Sequence, residues 1–188
     1  MTGRSTHDKY GSVAVALHWI SAAAILVLLL SGYLMSGLEG GAKTFCYRAH
    51  LALGGLALAL TLARIAWRRW DDKPDPLPGI VGLHKLAFEA NHVLLYLGLL
   101  GAGVSGVALS IQSGLGESLF LGDGSIPANL WDFPARMGHR FFTWSVAVLL
   151  LGHVGGVFLY QWTRSDTMAR MGLRGIPTAS HEQLRRQP

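Results

Sequence analysis

Residues 138–162 read GHRFFTWSVAVLLLGHVGGVFLYQW, an apolar run long enough to span a bilayer that also carries two histidines, His139 and His153. The two lie fourteen positions apart. At about 100° and 1.5 Å per residue, one helix would place them within roughly 40° of the same face and about 21 Å apart along its axis. An imidazole inside a membrane is costly unless partnered, so each is a functional candidate. The spacing predicts two stacked metal or haem sites sharing this helix, with partner ligands on other helices.

The rest of the chain supports a membrane setting. Only 14% of the 188 residues are charged and 51% are hydrophobic, against about 25% charged in an average soluble domain. The length suits one domain. Residues 13–35 contain no Asp, Glu, Lys or Arg, and the polar start with no small-residue cleavage site predicts a retained span. A second span is expected over 47–69, a third over 90–109 with an amphipathic lead-in from His84, and the fourth over 138–162. The charged, proline-rich segment 71–78 reads as the clearest linker, and 163–188 as a basic tail. Cys46 is the sole cysteine, which excludes an intrachain disulfide and a cysteine-ligated cluster. The expected fold is all-α, an integral membrane four-helix bundle in a single domain.

Four spans put both termini on one side. The N-terminus, the second-to-third connection and the tail hold twelve Lys and Arg, whereas the two opposite loops hold only Lys43, Arg48, Arg136 and Arg140. The positive-inside rule then places both termini in the cytoplasm. The net charge of +5 is a matter of topology, and nucleic acid is not an expected partner.

Depth sorts the histidines. His18 and His153 fall toward the cytoplasmic ends of the first and fourth spans, and His50 and His139 at the outer ends of the second and fourth. Two neutral imidazoles either side of a ring are the bis-histidine ligation of a b-type haem, so the depths predict two such sites, His18 with His153 and His50 with His139. Gly54, Gly55, Gly155 and Gly156 fall where bulk would meet a porphyrin. Arg64, fourteen residues after His50, reaches the inner level as a propionate partner, and Arg48 and Arg140 adjoin the outer ligands. A single intramembrane histidine is explained equally well as a hydrogen-bonded core residue; four that match in depth across three helices are not. Zinc is disfavoured, because neither pair has a carboxylate or cysteine at ligand spacing. His92 competes as an inner ligand, or bonds a propionate or quinone, and a hydrogen bond to a neighbouring helix explains it as well. His84 reads as interfacial, and His7 and His181 as solvated.

Several local sequences complete the pattern: Leu17-His18-Trp19, His50 with Gly54, Arg64-Ile65-Ala66-Trp67-Arg68, Asn91-His92-Val93-Leu94-Leu95-Tyr96, Gly138-His139-Arg140, Gly152-His153 and Asp166-Thr167-Met168-Ala169-Arg170-Met171. Together, and in this order, they resemble the bacterial cytochrome b561 family, within the cytochrome b and nickel-hydrogenase b-subunit superfamily. The resemblance implies a four-helix membrane bundle in the bacterial inner membrane with two b haems, ligated at the positions matching His18 with His153 and His50 with His139. It also implies one-electron transfer across the membrane coupled to quinone. Some members oxidise periplasmic superoxide and reduce ubiquinone, which would make this chain an oxidoreductase. Glu89 stands where many members have a second histidine three residues before the third-span histidine. Two rival readings stand beside this one. The first is a haem-b anchor subunit that ties a hydrogenase or other dehydrogenase to the quinone pool. The second is a haem-free transporter or proton relay. Pairing of two copies as a homodimer is a further expectation left open.

Overall fold

The computed structural model describes residues 3–76, 81–163 and 167–173. Arg164, Asp166, Arg174, His181, Arg185, Arg186 and Pro78 lie outside the described residues, as does most of the expected tail. The described chain is all-α, without a strand, as the composition and periodicity predict. Helix α1 covers Ser12–Leu34 and passes into a 3-10 turn at Met35–Gly37; α2 covers Gly40–Trp70 and α3 Gly82–Gln112. A short α4, Leu115–Leu121, and a 3-10 turn at Leu130–Asp132 precede α5, Pro134–Thr163, and the single-turn α6, Thr167–Arg170. Four helices, α1 with its trailing turn, α2, α3 and α5, are long and apolar enough to cross a membrane.

The helices run further than their apolar cores. Gly40 starts α2 with a φ of +54°, a left-handed conformation that glycine adopts without a Cβ penalty, so the helix begins well before Tyr47. The stretch from His84 is helical and continuous with the third span. Pro134 opens α5 at a position where its missing N–H costs nothing, ahead of the expected Gly138. The connection between α3 and α5 is structured as well: Leu115 and Leu119 of α4 are buried against Tyr47, with Met35, Leu51, Ile126 and Leu130 packed around them.

Large apolar side chains such as Tyr33, Phe45, Ile111 and Leu151 are mostly exposed. Helices that are apolar all round are expected in a membrane, where lipid covers such faces. Helix contacts there depend on close approach of small residues instead. A Cβ on Gly98 would lie 2.9 Å from Val146, one on Gly101 2.5 Å from the Phe142 ring, and one on Gly103 2.8 Å from Leu58. The glycine stripe of α3 is therefore a packing surface for α2 and α5.

The described chain divides into two units, and each long helix contributes a segment to both. One comprises residues 1–18, 64–95 and 148–188; the other 19–63 and 96–147. In the first, the chain ends are tied to the segment after α2. Ser5 donates its N–H to Asp71 Oδ1 at 2.9 Å and its hydroxyl to Oδ2 at 2.5 Å, and accepts from Gly11 N–H at 2.9 Å. Arg170 donates to the carbonyl of Asp75 at 2.7 Å, and Tyr10 N–H donates to the carbonyl of Arg170 at 3.2 Å. Outside the spans, partial burial would raise the Asp71 carboxyl, but its hydrogen bonds from Ser5 outweigh this and hold it below the usual carboxylate value.

Candidate functional site

Each unit holds one of the expected histidine pairs, and in each the pair is served by all four long helices. In the first unit, His18 of α1 faces His153 of α5, with ring centroids 6.3 Å apart and planes inclined at 51°. Arg64 of α2 places Nη2 3.2 Å from His18 Nδ1. His92 of α3 stacks edge-on to His153 at 5.0 Å between centroids. All three rings are half-buried.

The second unit repeats the plan with different supports. His50 of α2 faces His139 of α5 at the same 6.3 Å, with planes near perpendicular at 84°. Ser31 of α1 lies 2.8 Å from His50 Nδ1. Ser31 Oγ also lies 3.2 Å from the carbonyl of Leu28; with the hydroxyl proton donated there, Ser31 Oγ accepts from Nδ1–H. His139 Nδ1 lies 2.9 Å from the carbonyl of Ala102 on α3, which can only accept. His139 thus carries its proton on Nδ1 and keeps the Nε2 lone pair for another partner, as His50 does when Ser31 Oγ accepts, the arrangement that fixes a metal-ligating histidine. A Cβ on Gly106 would lie 3.1 Å from the His139 ring, and one on Gly32 3.5 Å from His50, so small residues on α3 and α1 make room for both imidazoles.

These separations allow a test of fit to haem. A metal–imidazole bond of about 2 Å, plus about 1.1 Å from ring nitrogen to ring centroid, puts two axial imidazoles about 6.2 Å apart. Both pairs match that distance. The 5.0 Å between His92 and His153 is too short for them to be opposite ligands of one metal. Among the described residues, no group of three or more His, Cys, Asp or Glu is arranged to hold a bare metal ion. A Cβ on Gly55, Gly155 or Gly156 would meet nothing within 4 Å, whereas one on Gly54 would lie 3.9 Å from Leu28.

The expected cationic partners divide by surroundings. Arg64 is half-buried beside His18. Arg48 commits Nε to the carbonyl of Leu119 at 2.6 Å, which ties α2 to α4. Arg140 lies over the Trp131 ring at 5.2 Å. His84 is exposed, and Glu89 pairs weakly with Lys85 at 4.0 Å, both side chains more than half exposed; such a surface pair contributes little. The sequence alone does not single out Ser31 or the carbonyl of Ala102. Serine and backbone groups inside apolar helices carry no distinctive pattern, and only the ring orientations reveal them.

Residues 9–173 match the model of the prokaryotic cytochrome b561 family. The chain is also 31% identical over 179 residues to cytochrome b561 homolog 2 of Escherichia coli (strain K12), a match that covers 91% of this chain and 95% of that protein.

Proposed function

The chain belongs to the prokaryotic cytochrome b561 family, and on that premise we propose that it binds two b haems, one between His18 and His153 and one between His50 and His139, to move single electrons across the membrane in exchange with quinone. Family membership makes it a membrane b-type cytochrome of electron transfer. The finer reading rests on one observation: two histidine pairs, in separate units, share the 6.3 Å ring separation.

Held by such a histidine pair, haem would supply a one-electron couple. The protein's part is to hold and bias it. Ser31 and the carbonyl of Ala102 fix His50 and His139 with Nε2 free and raise their basicity. Arg64 keeps a permanent positive charge beside His18 and is the propionate partner there, while Arg48 and Arg140 serve the second pair. In this reading both termini face the cytoplasm, in a bacterial inner membrane, and His50 and His139 lie toward the outer face. Superoxide as donor and ubiquinone as acceptor follow from the family resemblance alone; Lys43, Arg48, Arg136 and Arg140 stand on the donor side, balanced by Glu39, Glu117, Asp123 and Asp132.

The test is the reduced-minus-oxidised spectrum of the detergent-purified protein with its haem-to-chain ratio. Two low-spin b haems per chain support the proposal. One haem means that one pair is misassigned, and a colourless protein made with haem available overturns it.

A further inference from the structure

We infer that Arg136 binds a propionate carboxylate of the haem held by His50 and His139. The inference rests on the two-haem reading and gives Arg136, there one of four donor-side cations, a specific partner.

Arg136 lies in the first turn of α5, three residues before His139 and therefore on a neighbouring part of the same helix face. Its side chain is half-buried, but its Nε is fully enclosed and has no hydrogen-bond acceptor among the described residues. A guanidinium cannot shed its proton to escape that situation, and all five of its N–H groups are donors. Buried donors of this kind are paired in folded proteins, so an unpaired one calls for a partner.

The surroundings indicate the sign and place of that partner. The Arg136 guanidinium carbon lies 5.0 Å from the centroid of the Trp131 ring, and that of Arg140 lies 5.2 Å from the same centroid. Two cations share one indole, and among the described residues neither is ion-paired with Asp or Glu. The ring face attracts both cations but does not neutralise them. Arg136 is also within electrostatic reach of His50, His139 and Tyr47. Two cations without an ion-pair contact among the described residues thus gather beside a candidate haem-ligand pair, with one donor already desolvated. A planar carboxylate matches the guanidinium fork in shape as well as charge. Arg48 differs, because its Nε already donates to the carbonyl of Leu119.

The experiment uses the full-length purified protein as wild type, Arg136→Gln and Arg136→Lys. Each is redox-titrated, and haem loss to apomyoglobin is timed; the haem missing from a His50→Ala variant identifies which signal belongs to that site. In Arg136→Gln, that haem's midpoint should move down and its release should quicken several-fold, with the other haem unmoved. Arg136→Lys, which keeps the charge and loses the fork, should recover the midpoint while still releasing that haem at least twofold faster than wild type. The inference is overturned if two haems are bound and Arg136→Gln matches wild type in both midpoints and both release rates. Should Arg136→Gln fail to assemble, an unchanged release rate in Arg136→Lys overturns it equally. A wild-type midpoint that shifts with added nitrate, through a response absent from Arg136→Lys, would show an exchangeable anion on the guanidinium and overturn the propionate assignment. A wild type with fewer than two haems defeats the underlying reading as well, and is separately visible in the stoichiometry.

Discussion

Arg64 Nη2 lies 3.2 Å from Nδ1 of His18, and because a guanidinium only donates, the imidazole must accept there. A neutral His18 then carries its proton on Nε2. His139 has the opposite polarity, with Nδ1–H donated to the carbonyl of Ala102. The two pairs agree in separation and differ in what stands behind the rings. Ligation through Nε2 requires that nitrogen to be bare, so occupation of the His18 pair shifts the His18 proton or turns Arg64 toward another acceptor. A haem propionate is the acceptor that the proposed function supplies.

Arg64→Gln removes that fixed cation. Loss of about 1–2 kcal/mol of electrostatic stabilisation at a partly screened site corresponds to about 40–90 mV for a one-electron couple. The haem held by His18 and His153 should therefore titrate lower by that amount, with Arg64→Lys retaining most of the potential. A redox titration that finds both midpoints unchanged in Arg64→Gln excludes this role for Arg64.

His92 is the residue that competes most directly with the assigned ligands. Its ring stands 5.0 Å from that of His153 and 4.4 Å from that of Phe88, and its Nδ1 lies 2.7 Å from the carbonyl of Phe88 one turn earlier. That bond anchors it to its own helix. His92→Gln is expected to keep two low-spin haems per chain, whereas His153→Ala should lose one. Haem-to-chain ratios on the two variants decide it: one haem in His92→Gln would make His92 a ligand.

Much of this arrangement was legible in the sequence because membrane helices leave few alternatives. Uncharged runs mark the spans, and a histidine in such a run can be assigned a depth by counting. Depth pairs His18 with His153 and His50 with His139, and in the structure the ring centroids of each pair lie 6.3 Å apart. Counting gives depth along an axis but not contacts around it. It could not show that Gly98, Gly101 and Gly103 pack against Val146, Phe142 and Leu58, nor that Leu115 and Leu119 of a connecting segment form a buried cluster with Tyr47. For the same reason counting does not separate Arg136 from Lys43, Arg48 and Arg140, which share with it the expected roles of drawing an anionic donor or pairing a propionate. In sequence it is one of four cations in two polar loops, and only the enclosure of its Nε sets it apart.

Gly101 offers a test of packing apart from cofactor chemistry. A Cβ there would lie 2.5 Å from two carbons of the Phe142 ring, which is a rigid neighbour and not the far end of a flexible chain. Alanine ordinarily favours a helix over glycine by about 1 kcal/mol, but overpacking of this kind costs about 1–3 kcal/mol. Gly101→Ala should therefore be net destabilised, and its thermal unfolding in detergent should come at a lower temperature than wild type. An unchanged or raised midpoint would mean that α3 and α5 separate freely at this contact.

Ser5 and Asp71 join the N-terminal segment to the end of α2, and their link should depend on pH in one direction. The Asp71 carboxyl is held below its usual value because Ser5 donates two hydrogen bonds to the charged form. A group whose folded value is depressed contributes stability above its unfolded value, and that stability is lost as pH falls through the folded value. Acidification from about pH 4 downward should thus loosen the segment, while a rise from neutral to mildly alkaline pH should not. Amide hydrogen exchange at Ser5 and Gly11 reports this directly, because Ser5 N–H donates to Asp71 and Gly11 N–H donates to Ser5 Oγ. After correction for intrinsic rates, both should exchange about 3–10-fold faster below that range, the size expected for loss of one ordinary hydrogen bond. In Asp71→Asn the two amides should already exchange faster at neutral pH, with the pH dependence removed. Exchange that quickens on acidification to the same extent in Asp71→Asn would place the controlling carboxylate elsewhere.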